Sequence, residues 1–393
     1  MIVTHLQLSD FRNYATADVQ LVAGPNLFVG RNGQGKTNLV EAIGYLSTLG
    51  SHRVASDQAL IRAGLDAAII RARLEHGERS VLVEVQINRS GANRAQVNRV
   101  AAKPRDLPRY AASVLFAPED LALVRGDPGG RRRYLDQLLV QFHPRLAGVL
   151  ADYDRVVRQR TTLLKSVRAA RVADAQLTTL EVWDERLAEL GSQVIVERAA
   201  LVERIRPHVA EAYRGIAGDD HRADLGLRLS IQGDSDDDDP VDAGDPLPSI
   251  APEEVRGAFT AALARVRRAE LDRGLTLVGP HRDDLVLTLN GLPARGYASH
   301  GESWSFALAL KLAAAATLRA DSPLGDPVVI LDDVFAELDQ SRRRRLAEGI
   351  ADYEQVLITA AVLDDVPDQL RAHTVHIRAG AIVESAEPPG EDS

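Results

Sequence analysis

Cysteine is absent from the 393 residues, and the single methionine is the first residue. No disulfide framework and no thiolate metal site can therefore form. Long apolar runs are missing too: none approaches the ~20 residues that a bilayer span needs. The start, Met1-Ile2-Val3-Thr4-His5, has neither the basic opening nor the apolar core of a signal peptide. A cytoplasmic protein indifferent to redox conditions is the expectation. Positive charge is also in deficit, with a formal net charge of −9, which argues against a uniformly sticky nucleic-acid binder. Much of the acid lies in Asp234-Ser235-Asp236-Asp237-Asp238-Asp239, so the average hides a local asymmetry.

What is present is an ordinary soluble balance, 45% hydrophobic and 26% charged, in a chain long enough for two or three domains. Residues 2–8 and 17–21 partly alternate, as strands do, and 68–74 and 81–87 resemble a hairpin pair. Pro25-Asn26-Leu27-Phe28-Val29 is a short apolar strand running into Gly30, and Leu39, Ile43, Leu46 and Leu49 then lie near one helical face. From about residue 131 to 216 the spacing predicts at least three long helices, with a break near 171–174. A further helix is predicted over 252–272, and strands at 285–289 and 328–331. Residues 233–249 are low-complexity, acidic and proline-containing, which predicts a solvated loop.

Between that strand and that helix stands Gly30-Arg31-Asn32-Gly33-Gln34-Gly35-Lys36-Thr37, a P-loop in both spacing and context. Its glycines let backbone N–H groups approach phosphates, and the helix N-terminus adds a favourable dipole. Lys36 supplies a point charge for the β- and γ-phosphates of ATP, and Thr37 a hydroxyl for Mg²⁺. A chance glycine-rich turn is the bland alternative, weakened by the flanking strand and helix. Val328-Val329-Ile330-Leu331 is followed by Asp332-Asp333, carboxylates at the end of a buried strand, where ligands sit in open α/β sheets. Asp332 is expected in the Mg²⁺ shell, and Asp333, with Lys36, is the catalytic candidate, orienting or deprotonating the attacking water. Ser299 with Glu302 three residues on reads as a helix capping box.

Several further motifs stand in order. They are Leu8-Ser9-Asp10-Phe11-Arg12-Asn13-Tyr14, Phe116-Ala117-Pro118-Glu119-Asp120, Gly279-Pro280-His281-Arg282-Asp283-Asp284, Ser299-His300-Gly301-Glu302-Ser303 and Phe335-Ala336-Glu337-Leu338-Asp339. With the P-loop and the paired acids, this series resembles the RecF family of bacterial recombination mediators, within the SMC/ABC-type ATPase group, over essentially the whole chain. The resemblance implies an α/β fold: a discontinuous ABC/SMC-head-like P-loop ATPase lobe, residues 1–117 and 285–393, interrupted by a mainly helical lobe, 118–284. It implies ATP sandwiched between two protomers, with Ser299, Gly301 and Glu302 acting in trans as the signature that completes the partner's site. It further implies a weak, DNA-stimulated ATPase whose ATP-dependent homodimer clamps double-stranded and gapped DNA. RecR and RecO are the implied partners, with RecA loaded indirectly in gap repair and the SOS response, and the protein acting at the nucleoid.

Two departures accompany the resemblance. Relatives often carry glutamines around the signature glycine, where His300 and Ser303-Trp304 stand here, and the switch histidine of ABC proteins is replaced by Thr359-Ala360-Ala361. A transporter subunit would want that histidine, and a structural SMC protein would need a coiled coil of hundreds of residues with sustained heptads, which are missing. Candidate DNA contacts are Arg53, Arg62, Arg94, Arg99, Lys103, Arg105 and Arg109, able to meet phosphates without reading sequence. Arg131-Arg132-Arg133 reads as a helix start paired with carboxylates, the His281 motif as a structural junction, and Arg342-Arg343-Arg344-Arg345 as a solvated helix face.

Overall fold

The computed structural model describes residues 1–54, 56–170, 175–218, 221–233, 251–321 and 325–383. The break expected at 171–174, and the acidic loop of 233–249 beyond Gly233, lie outside them. In chain order the elements begin with β1 (Ile2–Phe11), β2 (Tyr14–Gln20), β3 (Gly24–Val29), α1 (Lys36–Thr48), β4 (Ala67–His76), β5 (Arg79–Asn88), β6 (Arg94–Val97), β7 (Val100–Ala102) and β8 (Ser113–Phe116). Next come α2 (Leu121–Arg125), α3 (Pro128–Phe142), α4 (Leu146–Ala170), α5 (Ala175–Ala217), β9 (Ala223–Arg228), α6 (Pro252–Arg273), β10 (Asp284–Leu289), β11 (Leu292–Pro293) and the short turn α7 (Ala294–Tyr297). The series closes with α8 (His300–Asp321), β12 (Val328–Asp332), α9 (Gln340–Ile350), β13 (Gln355–Ala360), β14 (His373–Arg378) and β15 (Ala381–Val383).

The elements fall into two compact units. The first comprises Met1–Asp120, Gly215–Gly218 and Ala307–Ser393. Within it, period-2 alternation builds an antiparallel sheet in the order β2-β1-β4-β5-β6-β7. Leu6, Leu8, Ile70, Ala72, Leu74, Val83, Val85 and Ile87 line its buried face. A second sheet runs β15-β14-β3-β13-β12-β8, parallel except for the closing pair β14–β15. Its central strands are apolar without alternation, as strands covered on both faces are. Leu39, Val40, Ile43 and Leu46 of α1 join one core with both sheets, and truncating any of them costs about 2–5 kcal/mol.

The second unit comprises Leu121–Arg214 and Asp219–Phe306. The expectation placed residues 285–306 in the ATPase lobe; they belong here instead. The reason is register: Asp284–Leu289 pairs antiparallel with Ala223–Arg228, one inner rung being Val286 opposite Gly226. An isolated apolar strand near the chain's end gives no hint of which earlier strand it will pair with. The long helices α3, α4 and α5 are those that the apolar spacing predicts. Buried ion pairs cross this unit: Arg131 to Asp284 at 2.7 and 2.8 Å, Arg198 to Asp136 at 2.8 Å twice, and Arg160 to Asp184 and Glu270. Arg342–Arg345 is less solvated than expected. Arg343 pairs with Asp365 at 3.0 Å and Arg345 donates to the Ile216 carbonyl, leaving Arg344 as the most exposed, at 72%.

Candidate functional site

Strand β3 ends at Val29, and the chain turns through Gly30–Gly35 into α1. Two glycines there are steric necessities. A Cβ on Gly30 would fall 2.3 Å from the Ile377 carbonyl oxygen, and Gly35, at φ 117°, lies against the Tyr14 hydroxyl and the Asn13 amide. The loop is pinned from outside: Asn13 Nδ2 and the Gly380 N–H both donate to the Gln34 carbonyl, and the Ala379 N–H donates to the Gln34 side chain. Arg31, Asn32 and Gly33 at its tip are exposed. Lys36, 3% exposed, curls back so that Nζ donates to the carbonyls of Gly30 (2.7 Å) and Arg31 (3.3 Å). Among the described residues its hydrogen bonds go to carbonyls alone, which leaves the buried ammonium without a directly bonded anion, the arrangement that a phosphate completes.

The parallel sheet brings the second half of the site alongside. Strand β12 lies two places from β3, with β13 between them, so Asp332 ends beside α1. Thr37 Oγ1 donates to Asp332 Oδ1 at 2.9 Å, across 295 positions of sequence. Thr359, at the end of β13, donates to the same oxygen at 2.6 Å and accepts the Asp333 N–H at 2.9 Å. Asp333 itself takes a left-handed backbone, φ 53°, a conformation that non-glycine residues adopt mainly where surrounding contacts enforce it. Burial pushes its carboxyl above the usual range, Lys36 pulls the other way, and the neighbouring charges of Asp332 and Asp365 push it further up. A threonine hydroxyl beside a carboxylate of a hard-oxygen kind suits Mg²⁺ and offers nothing to softer metals.

Three partners of this site are not among the expected site residues. Thr359, one place before the end of β13, follows Val356-Leu357-Ile358 and stands in the triplet that replaces the switch histidine, a departure that does not itself announce a partner for Asp332. Glu41, fully buried on α1, holds Arg12 through both oxygens at 2.6 and 2.8 Å and accepts from Ser51 Oγ. The loop so fastened carries His52, which no spacing rule singles out.

Ser299, Gly301 and Glu302 lie in the second unit at the start of α8. The capping box forms in both directions: the Ser299 N–H donates to Glu302 Oε2 at 2.7 Å, and the Glu302 N–H to Ser299 Oγ at 3.3 Å. Ser299 and His300 are exposed, so the helix N-terminus faces solvent. His300 Nε2 accepts from Trp304 Nε1 at 3.0 Å, so the two departures from the family's glutamines satisfy each other. In the same unit His281, Tyr153, Ser230 and Asp283 form the buried junction. Tyr153 and His281 Nδ1 are 2.7 Å apart, and the N–H and hydroxyl of Ser230 both donate to Asp283 Oδ1 at 2.8 Å. Burial lowers His281 to about 4 and raises Asp283 to about 6.

The arginine candidates divide. Arg53 donates to Asn38 at 3.0 Å, Arg62 lies 3.5 Å from Asp10, and Arg109 lies 4.0 Å from Asp106. Arg94 opens β6 and Arg99 lies in the turn between β6 and β7, Lys103 and Arg105 follow that hairpin, and all four are exposed.

A P-loop entering a helix, a parallel sheet with paired acids on its next-but-one strand and a capped signature-like helix define an ATPase fold of the ABC/SMC-head class. The profile of the RecF/RecN/SMC N-terminal domain matches residues 2–377. The chain belongs to the RecF family. It is 64% identical to the DNA replication and repair protein RecF of Clavibacter sepedonicus, over 100% of this chain and 99% of that one. A solved structure of the recombination mediator protein RecF-ATPrS in the RecFOR pathway superposes with a TM-score of 0.85 at 25% identity, covering 97% of each chain. An SMC head bound to the C-winged helix domain of ScpA matches at 0.52 and 15% identity, over 97% of this chain and 96% of that one, a likeness of fold alone. Among the described residues no helix is long and apolar enough to cross a membrane.

Proposed function

We propose that the chain is an ATP-dependent DNA-binding protein of replication and repair, in which ATP and Mg²⁺ hold two copies together as a clamp on DNA. The observation that carries this reading is the Thr37–Asp332 hydrogen bond, which joins the P-loop to the end of the acid-bearing strand. Gly30–Gly35 wraps the phosphates with backbone N–H groups, Lys36 meets the β- and γ-phosphates, and Thr37 with Asp332 holds the metal. A metal held by Thr37 and Asp332 would supply positive charge against the negative charge that develops on the transferred phosphoryl group. Asp333, held by Thr359, orients or deprotonates the attacking water. Ser299, Gly301 and Glu302 of one copy present a helix N-terminus to the γ-phosphate on the other.

A γ-phosphate contacted only in the closed dimer shifts the population toward it, so slow, DNA-stimulated hydrolysis acts as a release timer rather than a motor. Arg94, Arg99, Lys103 and Arg105 are the better-supported backbone contacts, because Arg53, Arg62 and Arg109 already face polar or acidic partners. On this reading the chain acts in gap repair and the SOS response, where single-stranded gaps meet duplex, with RecR and RecO recruited to load RecA in the cytoplasm, at the nucleoid; the relatives' names, replication and repair and a recombination mediator of the RecFOR pathway, support its coarser part. The test is molar mass by light scattering, with and without ATP·Mg²⁺, repeated with gapped DNA. A monomer that becomes a dimer only with ATP, and then binds DNA more tightly, supports the clamp. A fixed mass with nucleotide-blind DNA binding overturns it.

A further inference from the structure

The loop after α1 brings a side chain to the site that neither the P-loop nor the paired acids include. His52 lies with Nε2 fully buried and without a hydrogen-bond partner among the described residues. It faces Asp332, whose Oδ2 stands 3.8 Å away. That distance is too long for a direct hydrogen bond and suits two groups sharing one water. The other carboxylate oxygen, Oδ1, is already taken by Thr37 and Thr359. The free oxygen of Asp332 and the free nitrogen of His52 therefore face each other at the place where a metal held by Thr37 would keep its water shell.

The placement is built rather than incidental. Ser51 Oγ donates to Glu41 and accepts the N–H groups of Arg53 (2.9 Å) and Val54 (3.1 Å), so the chain on both sides of His52 is fixed. Glu41 is in turn clamped by Arg12, which also donates to the Ala59 carbonyl at 2.9 Å. A buried polar nitrogen left empty by so ordered a surrounding is costly unless a ligand fills it.

We propose that His52 is a positioning residue for Mg²⁺: Nε2 and Asp332 Oδ2 together hold one water of the metal's shell, and so orient the metal against the nucleotide. Mg²⁺ dehydrates reluctantly and keeps several waters, so groups that hold those waters contribute to its affinity. Outer partners of this kind change metal affinity by about 10- to 100-fold when removed.

The inference rests on the proposed ATP·Mg²⁺ reading, and the experiment separates the two. Binding of a fluorescent ATP analogue to the full chain is titrated against Mg²⁺ and, separately, in EDTA, for wild type, His52→Ala and His52→Gln. The Mg²⁺ concentration at half-effect should rise roughly tenfold or more in His52→Ala and less in His52→Gln. Metal-free nucleotide affinity should stay within about twofold, since a residue that acts through the metal's water has nothing to hold when the metal is removed. Unchanged Mg²⁺ dependence in His52→Ala overturns the role of His52 and leaves the ATP reading intact. An equal loss with and without metal also overturns it, showing that the side chain serves nucleotide or fold instead. Wild type that binds no nucleotide at all takes both readings down together.

Discussion

Each unit contains a set of buried charges, and the two sets are finished differently. Around Arg160 every charge is spent: Nε reaches Asp184 at 2.7 Å, one terminal nitrogen reaches Glu270 at 2.5 Å and the other reaches Thr276 at 3.1 Å. Arg267 takes the second oxygen of Asp184, and the Leu277 N–H takes the second oxygen of Glu270. Around Asp332 the accounting is left open. Among the described residues one of its oxygens accepts two hydrogen bonds and the other none, Lys36 donates to carbonyls alone, and Nε2 of His52 has no hydrogen-bond partner. Burial and charge alone would rank the two clusters alike. What separates a structural knot from a ligand site is whether the polar groups are saturated before any ligand arrives.

The comparison can be broken from either side, and the largest effect is expected at the saturated knot. Arg160→Ala leaves Glu270 buried without its cation and should cost about 3–5 kcal/mol of stability. Denaturant unfolding would register the loss, while nucleotide affinity below the transition should be unchanged. Lys36→Ala should do the reverse. It should weaken ATP binding by roughly 100-fold, as expected for losing a charge-assisted contact, with little change in melting temperature, by calorimetry and thermal scan. Ser299→Arg puts a bulky cation at the exposed cap. It should abolish ATP-dependent dimerisation by light scattering, spare nucleotide binding and cost about 1 kcal/mol of cap stability. A Ser299→Arg protein that dimerised normally would remove the case for a signature acting in trans.

A subtler test lies in the junction, where two groups oppose each other. His281 is held neutral, at about 4 against 6.5, so its contribution is present above pH 6.5 and is lost as pH falls toward 4. Asp283 is raised to about 6 from 3.8, so the folded chain takes up a proton before the unfolded chain does. It therefore gains stability as pH falls from about 6 to 4, offsetting part of the His281 loss. Asp283→Asn removes that gain. Its melting temperature should exceed that of wild type at pH 7 and fall more steeply between pH 6.5 and 4. The smallest effect is expected for Arg344→Ala, whose pairing with Glu348 is exposed and 3.8 Å long, at under about 0.5 kcal/mol.

The chain's own order explains which parts of this were legible. The P-loop is contiguous, and its spacing alone marks Gly30, Gly35, Lys36 and Thr37. The strand before Asp332 announces itself by four apolar residues, and the Ser299–Glu302 box by its interval of three. Partnerships across the sheet leave no such mark. Nothing near Thr359 says that β13 will lie between β3 and β12, and nothing near His52 says that Glu41 will fasten its loop toward Asp332. The boundary at residue 285 failed for the same reason, since strand pairing is non-local. The arginines were legible as charges, yet only the fold shows that Arg53 faces Asn38 while Arg94 and Arg99 remain exposed.

The order of the parallel sheet also has a consequence for how the chain comes off the ribosome. Strand β3, which delivers the P-loop, is emitted early, yet both of its neighbours, β13 and β14, are emitted much later. Until then the strand has no edge to pair with, Gly30 lacks the Ile377 carbonyl that it lies against, and Asp332 lacks Thr359. A nascent chain stalled before residue 355 carries a complete P-loop motif without the strands that shape it. Shaping of the phosphate loop thus waits on strands that lie far along the chain from it.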